Sequence, residues 1–101
     1  MDGSVSGFDW DEGNLAKCQK HGVSVSEIEG LFKRGITIFP DAGHSHSEER
    51  MKGIGKTGHG RYIFLVFTVR GRAGKKYIRP ISARYMHKKE IEGYEKETSE
   101  A

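Results

Sequence analysis

The clearest secondary-structure signal in the sequence lies at residues 61–70, which read RYIFLVFTVR. Both faces of this stretch are apolar over its centre, which is typical of a strand in the interior of a sheet. The turn-forming residues 71–74, GRAG, separate it from a second predicted strand at Lys75–Ala83. Pro80 within that second strand indicates a sheet edge or a bulge. If the two segments pair with each other, they form a β-hairpin.

A helix is predicted before this hairpin, near the start of the chain. Either Asp9 or Asp11 can cap its N-terminus, and acidic residues in its first turn suit the helix dipole. The predicted helix runs to about His21. Gly22 follows it, and glycine is the residue most often found directly after the end of a helix.

The remaining elements have shorter patterns. The sequence Ser24-Val25-Ser26-Glu27 reads as a capping box that opens a second helix, which Gly35 ends. Weaker patterns predict strands at Val5–Phe8, Thr37–Phe39 and Glu48–Ile54, a polar loop at Asp41–Ser47, a turn at Gly55–Gly60 and a terminal helix at Tyr85–Lys96. This order predicts an α+β fold, with a small antiparallel sheet packed against two N-terminal helices and one C-terminal helix.

Length and composition indicate one domain. The chain has 101 residues, 35% of them hydrophobic, which suffices for a single core at residues 5–96 with a polar tail at 97–101. Cys18 is the only cysteine, which excludes an internal disulfide and a cysteine-based zinc site. The longest apolar run, Tyr62–Phe67, is far shorter than the ~20 residues of a membrane span. With no secretory signal visible at the start, we expect a cytoplasmic protein.

Charge is strongly segregated along the chain. Residues 50–89 carry twelve Lys or Arg and no Asp or Glu, whereas residues 1–49 and 90–101 are both acidic, so that the net charge is only +3. A basic segment of this length indicates an acidic ligand, and a phosphate backbone is the commonest one. A solvated basic sheet face is the alternative interpretation.

Two motifs suggest chemistry that their context does not support. Gly53–Gly58 reads GIGKTG, which matches a dinucleotide-binding fingerprint and echoes the end of a P-loop. Both motifs must open a helix, whereas a strand is predicted to follow here, so a turn is the better interpretation. His44 and His46 could approach one metal ion, but loop histidines without further ligands are more often solvated.

Arginines at the strand ends are better candidates for function. Arg70, Arg79 and Arg84 would gather near one sheet face if the two strands form a hairpin, and arginine binds phosphate through a planar fork. His21 and Lys20 follow the first helix, where the dipole favours the cationic form of histidine. Each has a structural alternative: Arg79 pairs with Glu49, His21 caps its helix, or Arg84 binds strand carbonyls.

These residues fall within a longer pattern that resembles the BrnT toxin family. The resemblance runs from about Phe8 to Glu95. Its motifs are FDWDE at 8–12, Asn14, Lys17, KHGVS at 20–24, Phe32, Phe39, Asp41, EER at 48–50, Gly53, Gly55, Thr68, Arg70-Gly71, IRPISAR at 78–84, Glu90 and Tyr94. Pro80 stands where the family usually has an aliphatic residue, and no proline follows Asp41.

The resemblance implies a RelE-like fold and the toxin role in a type II toxin–antitoxin system. Such a toxin is a ribonuclease that cuts mRNA, free or on the ribosome, and so inhibits translation. Its partner is a BrnA-type antitoxin with a DNA-binding domain, and operator DNA is bound only through the complex. No metal or organic cofactor and no membrane are expected.

Metal-free RNA cleavage requires a proton carrier and cations that stabilise the charge developing on phosphate. We assign the first role to His21 or Glu49 and the second to Arg70, Arg79 and Arg84. Further RNA contacts are expected from Lys20, Arg50, Arg61, Arg72 and Lys88. The alternative function is a non-catalytic module that binds nucleic acid or the antitoxin through the same basic face, since arginines bind phosphate equally well without cleaving it.

Overall fold

The computed structural model describes residues 5–40 and 49–99, so the predicted loop Asp41–Ser47, with His44 and His46, lies outside the described residues. The elements in chain order are β1 (Val5–Phe8), α1 (Glu12–Gln19), α2 (Val25–Arg34), β2 (Thr37–Pro40), β3 (Arg50–Lys56), β4 (Tyr62–Arg72), β5 (Lys75–Tyr85) and α3 (Lys88–Ser99). The α+β class is therefore confirmed.

The strands form one five-stranded sheet in the order β1-β5-β4-β3-β2. The pairs from β2 to β5 are antiparallel, but β1 is parallel to β5, so the prediction of an antiparallel sheet is wrong at this edge. The chain also begins with a strand ahead of its two N-terminal helices. The alternation of apolar residues identifies a strand but carries no information about the direction of its partner, which explains the difference.

The strands β4 and β5 pair as a hairpin, and the hairpin contains a bulge. Val66 lies opposite Ser82 and Phe67 lies opposite Pro80, which leaves Ile81 as the extra residue on β5. Proline has no N–H to donate to a strand ladder and therefore favours such an interruption. The bulge that Pro80 indicated is present.

The core lies between the sheet and the two N-terminal helices. Alternate residues of β4, Ile63, Leu65 and Phe67, are buried on the face that α1 and α2 cover. From the helices, Ile28 and Leu31 are fully buried against them. Burying a side chain of this size contributes about 1.5–3 kcal/mol, so these contacts account for much of the stability.

The glycines of the GIGKTG motif serve this packing. A Cβ atom added to Gly53 would lie 2.5 Å from the Ile36 side chain, and one added to Gly55 would lie 3.0 Å from that of Leu31. Because both glycines lie within β3 and the chain turns into β4 after them, no helix begins there to bind a phosphate.

Both N-terminal helices have capping boxes. Asp11 caps α1 and accepts a hydrogen bond from the backbone N–H of Asn14, so it is Asp11 and not Asp9 that has this role. Ser24 and Glu27 cap α2 as expected. The helix α1 ends at Gln19, two residues earlier than predicted.

The C-terminal helix starts later than expected, because β5 continues to Tyr85 and α3 begins at Lys88. It is attached to the sheet mainly by polar side chains. The Tyr94 hydroxyl donates to the Thr37 hydroxyl at 2.8 Å, and the Tyr62 and Tyr94 rings meet edge to face. Within the described residues, no helix combines the length and the apolar character that a membrane crossing requires.

Candidate active site

Three strands present a row of polar side chains on the sheet face opposite to the one on which Leu65 and Phe67 are buried. Thr68 of β4 lies opposite Arg50 of β3 on one side and Arg79 of β5 on the other. Arg70 has the same orientation as Thr68, because residues two apart in a strand share a face. The small buried Thr68 therefore separates two arginines of neighbouring strands.

These side chains line a cleft of about 310 Å³, which we call the arginine cleft. It is lined by Gly13, Asn14 and Lys17 from α1, Arg50 from β3, Arg70 from β4, and Arg79, Pro80 and Ile81 from β5. The charged residues in this lining are all cations, and they come from four different elements. Convergent cations of this kind suit an anionic ligand such as phosphate.

Arg79 is fixed in this cleft by two carboxylates. Its Nη2 atom lies 2.8 Å from Oδ2 of Asp11, its Nη1 atom lies 3.7 Å from Oδ1 of Asp9, and its side chain is only 16% exposed. The backbone N–H of Asn14, and next the Arg79 guanidinium, lower the pKa of Asp11. Arg79 thus pairs with the connection between β1 and α1 rather than with Glu49.

Asn14 joins α1 to β5 beside this ion pair. Its buried side-chain amide donates to the backbone carbonyls of Pro80, at 2.8 Å, and Asp9, at 2.9 Å. Both donors of the amide are therefore used, and the N-terminus of α1 is held against the bulge in β5. The Pro80 carbonyl points to the same edge of β5 as the Ile78 carbonyl, which accepts the backbone N–H of Asp9, and it is available to Asn14 because β1 ends at Phe8.

A second cleft of about 370 Å³, which we call the histidine cleft, lies farther along β5. It is lined by His21, Arg61, Arg84, Tyr85, Met86 and His87. His21 and Arg84 also line a smaller adjoining cavity of about 100 Å³ with Phe64, Ser82 and Ala83. The cleft therefore combines two imidazoles with two guanidiniums, which is a set suited to proton transfer beside an anion.

Both arginines of the histidine cleft are held by neighbours. Arg84 forms a two-pronged ion pair with Glu90 of α3, with both N–O distances 2.8 Å. Arg84, and next the backbone N–H of His87, lower the pKa of Glu90 to about 2. The Arg61 guanidinium lies 3.5 Å from the centre of the Tyr85 ring, whose hydroxyl donates to Glu27 at 2.7 Å.

The two clefts are neighbours along β5, and we call them together the α1–β5 groove. Pro80 and Ile81 line the arginine cleft, and the next residues of β5 line the cavity that His21 and Arg84 share. Arg79 and Arg84 are five residues apart on β5, a separation of roughly 15 Å. Because Asp11 holds the guanidinium of Arg79 and Glu90 holds that of Arg84, the groove presents two separate cationic sites.

The structure distributes the candidate residues between these sites. Arg50, Arg70 and Arg79 line the arginine cleft, and His21, Arg61 and Arg84 line the histidine cleft. The remaining candidates line neither cleft; they are Glu49, Lys20, Arg72 and Lys88.

Sequence reasoning did not select Lys17, Asn14 or His87 as site residues. Lys17 lies one turn after Asn14 in α1, so the helical period alone places both on one face. His87 carries no local signal, because it lies in the short connection between β5 and α3. Its place beside His21 depends on a long-range contact.

Comparison with known proteins agrees with this chemistry. A search of curated protein sequences gives no match. Residues 10–90 match a family model described as the ribonuclease toxin, BrnT, of type II toxin–antitoxin systems. That segment includes every residue that lines the two clefts. The chain therefore belongs to the BrnT family of ribonuclease toxins of type II toxin–antitoxin systems, with RNA as substrate and an antitoxin as partner.

Proposed function

We propose that this protein is an endoribonuclease that cleaves RNA in the α1–β5 groove without a metal ion and thereby inhibits translation. The observation that carries the proposal is the histidine cleft, in which His21 and Arg84, far apart in the sequence, line one cavity. The sheet and helix order is in keeping with a RelE-like fold, which we include in the proposal.

In this reaction, the RNA 2′-hydroxyl attacks the adjacent phosphorus atom, and the bond from phosphorus to the 5′-oxygen breaks. One group must accept the 2′-hydroxyl proton, and another must protonate the leaving 5′-oxygen. The products carry a 2′,3′-cyclic phosphate and a 5′-hydroxyl. A histidine can exchange a proton near neutral pH, whereas arginine stays protonated.

We assign one of these proton transfers to His21, in preference to Glu49. His21 is exposed at the C-terminal end of α1 and lines the cleft that contains Arg84. Glu49 lines neither cleft. Arg84 has five N–H donors, of which Glu90 accepts two, so three are left for the charge that develops on phosphate.

The arginine cleft then binds a flanking phosphate of the same RNA strand. Lys17, Arg50, Arg70 and Arg79 supply its four positive charges. Hydrogen bonds between charged groups and phosphate are about twice as strong as neutral ones, so this cleft would set the register of the strand in the groove. Cleavage itself remains at the histidine cleft, where the proton carrier lies.

We further infer that the antitoxin is of the BrnA type and carries the DNA-binding domain of the complex. Operator DNA would then be bound through the antitoxin and not through the basic groove. An antitoxin that covers the groove would exclude RNA, and the cationic clefts favour an acidic partner surface there.

The test uses the purified protein and total RNA in buffer with EDTA. His21→Gln removes the proposed proton carrier, and His59→Gln is the matched control, because His59 is exposed in the turn between β3 and β4 and lines neither cleft. The wild type and His59→Gln should cleave the RNA, whereas His21→Gln should bind RNA without cleaving it. Equal cleavage by all three proteins would contradict the assignment, and binding without cleavage by the wild type would favour the non-catalytic module.

A further inference from the structure

We propose that Asp11 is a positioning residue for RNA binding, because it holds the Arg79 guanidinium in the orientation that contacts phosphate. This inference rests on the proposed function in one respect, namely that the arginine cleft binds RNA. It assigns to an acidic residue a favourable role in binding a polyanion. The charge of Asp11 alone would give the opposite effect.

The first observation is that one carboxylate has two partners. Oδ1 of Asp11 accepts the backbone N–H of Asn14 at 3.1 Å and so caps α1, while Oδ2 lies 2.8 Å from Nη2 of Arg79. The guanidinium of Arg79 is therefore tied to the N-terminus of a helix. Asp11 is itself half exposed, whereas the side chain of Arg79, which lines the arginine cleft, is mostly buried.

The second observation is that hydrogen bonds of the Asn14 side chain hold the backbone around Asp11 in place. The Asn14 side chain accepts the backbone N–H of Asp11 at 2.7 Å and donates to the carbonyls of Asp9 and Pro80. Pro80 follows Arg79 directly in β5. Asp11 and the backbone of Arg79 are thus connected through one buried amide, which fixes the distance between the carboxylate and the arginine.

Asp9 provides a weaker hold on the same guanidinium. Its Oδ1 atom lies 3.7 Å from Arg79 and 3.3 Å from Arg72, so it is shared between two cations. Its Oδ2 atom is buried and has no hydrogen-bond partner within residues 5–40 and 49–99. Asp9 is nine-tenths buried, and its replacement would affect Arg72 as well, which makes Asp11 the residue to test.

The pairing leaves Arg79 able to bind phosphate. A guanidinium has five N–H donors in a fixed plane, and Asp11 accepts from one terminal nitrogen. The donors that remain belong to a side chain that lines the arginine cleft beside Lys17 and Arg70. Without Asp11, the long arginine side chain would lose its fixed orientation, and RNA would lose the phosphate contact that this orientation allows.

Positioning and simple electrostatics predict changes of opposite sign. A carboxylate near a phosphate site repels RNA, so its neutralisation should by itself tighten binding, most strongly at low salt. If Asp11 acts through Arg79, its neutralisation should weaken binding instead. The sign of the change in affinity therefore decides between a positioning role and a merely structural ion pair.

The experiment compares Asp11→Asn with Glu12→Gln. Asparagine caps helices as well as aspartate does, so the first variant loses the charge but keeps the cap. Glu12 is exposed in the first turn of α1, and its replacement removes the same charge one residue away. The probe is a fluorescein-labelled single-stranded RNA with 2′-O-methyl groups, which binds but cannot undergo 2′-hydroxyl attack.

We expect Asp11→Asn to raise the dissociation constant about tenfold, the size of one charge-assisted contact. The slope of log affinity against log salt should fall by about 0.7, as for one lost phosphate contact on a single strand. Glu12→Gln should leave binding unchanged or slightly tighter. In an Arg79→Gln background, Asp11→Asn should have no further weakening effect, because its partner is already absent.

The inference would be overturned if Asp11→Asn bound RNA as tightly as the wild type or more tightly. It would also be overturned if Asp11→Asn weakened binding by the same factor in the Arg79→Gln variant as in the wild type. A wild-type protein that does not bind the probe would overturn it together with RNA binding in the groove. A wild type that binds the probe tenfold better than Asp11→Asn but does not cleave unmodified RNA would support the inference and refute the proposed cleavage. Asp11→Ser, which also keeps a cap, replaces Asp11→Asn if that variant does not fold.

Discussion

Arg84 and Glu90 form a bidentate ion pair, in which each terminal nitrogen of Arg84 lies 2.8 Å from one carboxylate oxygen of Glu90. The pair connects β5 to α3, and it does so beside the cleft that contains His21. The first turn of α3 and the proposed reaction site are therefore stabilised by the same arginine.

This pair makes the attachment of α3 sensitive to acid. The pKa of Glu90 is lowered from 4.5 to about 2 in the folded protein, so its contribution to stability is complete above pH 4.5 and is lost as the pH falls towards 2. The difference in melting temperature between the wild type and Glu90→Gln should be larger at pH 6 than at pH 2.5. A difference in melting temperature that is the same at both pH values would contradict this account.

Asn14→Ala should destabilise the fold. The change removes three side-chain hydrogen bonds, two donated by the amide and one accepted from the Asp11 N–H, and leaves the Pro80 carbonyl without this donor, which costs roughly 2–4 kcal/mol of unfolding free energy. Gln19→Ala, at an exposed position of the same helix, is the control and should change stability by less than about 0.5 kcal/mol. Urea unfolding of both variants gives the comparison, and equal stabilities would show that the amide does not hold α1 on β5.

Arg70→Ala should weaken RNA binding without loss of folding. Arg70 is exposed on β4 and lines the arginine cleft. Its removal should raise the dissociation constant for RNA about tenfold, and it should lower the slope of log affinity against log salt concentration by about 0.7. Lys33→Ala removes one charge from the last turn of α2, away from both clefts. Similar losses of affinity in the two variants would mean that net charge, and not the cleft, determines binding.

Gly53→Ala should destabilise the protein through overpacking. The new methyl group would lie 2.5 Å from Ile36 and 3.3 Å from Phe67, which predicts a loss of about 1–3 kcal/mol. Gly93→Ala is a useful counterpart, because apart from its chain neighbours and the backbone of its own helix no described atom lies within 4 Å of the new methyl group, and alanine favours the helix by about 1 kcal/mol. Chemical denaturation should therefore move the two variants in opposite directions, and a stable Gly53→Ala protein would refute the close packing.

The sequence was sufficient to predict the elements whose signals are local. The apolar run at 61–70 and the bulge at Pro80 correspond to β4 and to its irregular pairing with β5, whereas the predicted turn at 71–74 is shorter in the structure, because Gly71 and Arg72 still belong to β4. The capping box at Ser24 likewise depends on residues three apart. The direction of β1 relative to its partner was not predictable, because β1 pairs with β5, and these are the first and the last strand in the sequence.

The candidate site was predictable in its residue types more than in its arrangement. The acid-free segment 50–89 indicated arginines with no nearby counter-charge, yet Arg79 and Arg84 pair with Asp11 and Glu90, which lie on either side of that segment in the sequence. Charge counted along the chain does not show which distant acids the fold brings to each arginine. For the same reason His21 and Arg84 could be selected separately but not placed in one cleft.

The most direct test of the central claim is the chemistry of the RNA ends. A short unmodified RNA is incubated in EDTA with the wild type, His59→Gln and His21→Gln, and the fragments are identified by mass spectrometry. We predict fragments with 2′,3′-cyclic phosphate and 5′-hydroxyl ends from the first two proteins and intact RNA with His21→Gln. Fragments with 3′-hydroxyl ends, or cyclic phosphate products from His21→Gln at the wild-type rate, would contradict 2′-hydroxyl attack assisted by His21.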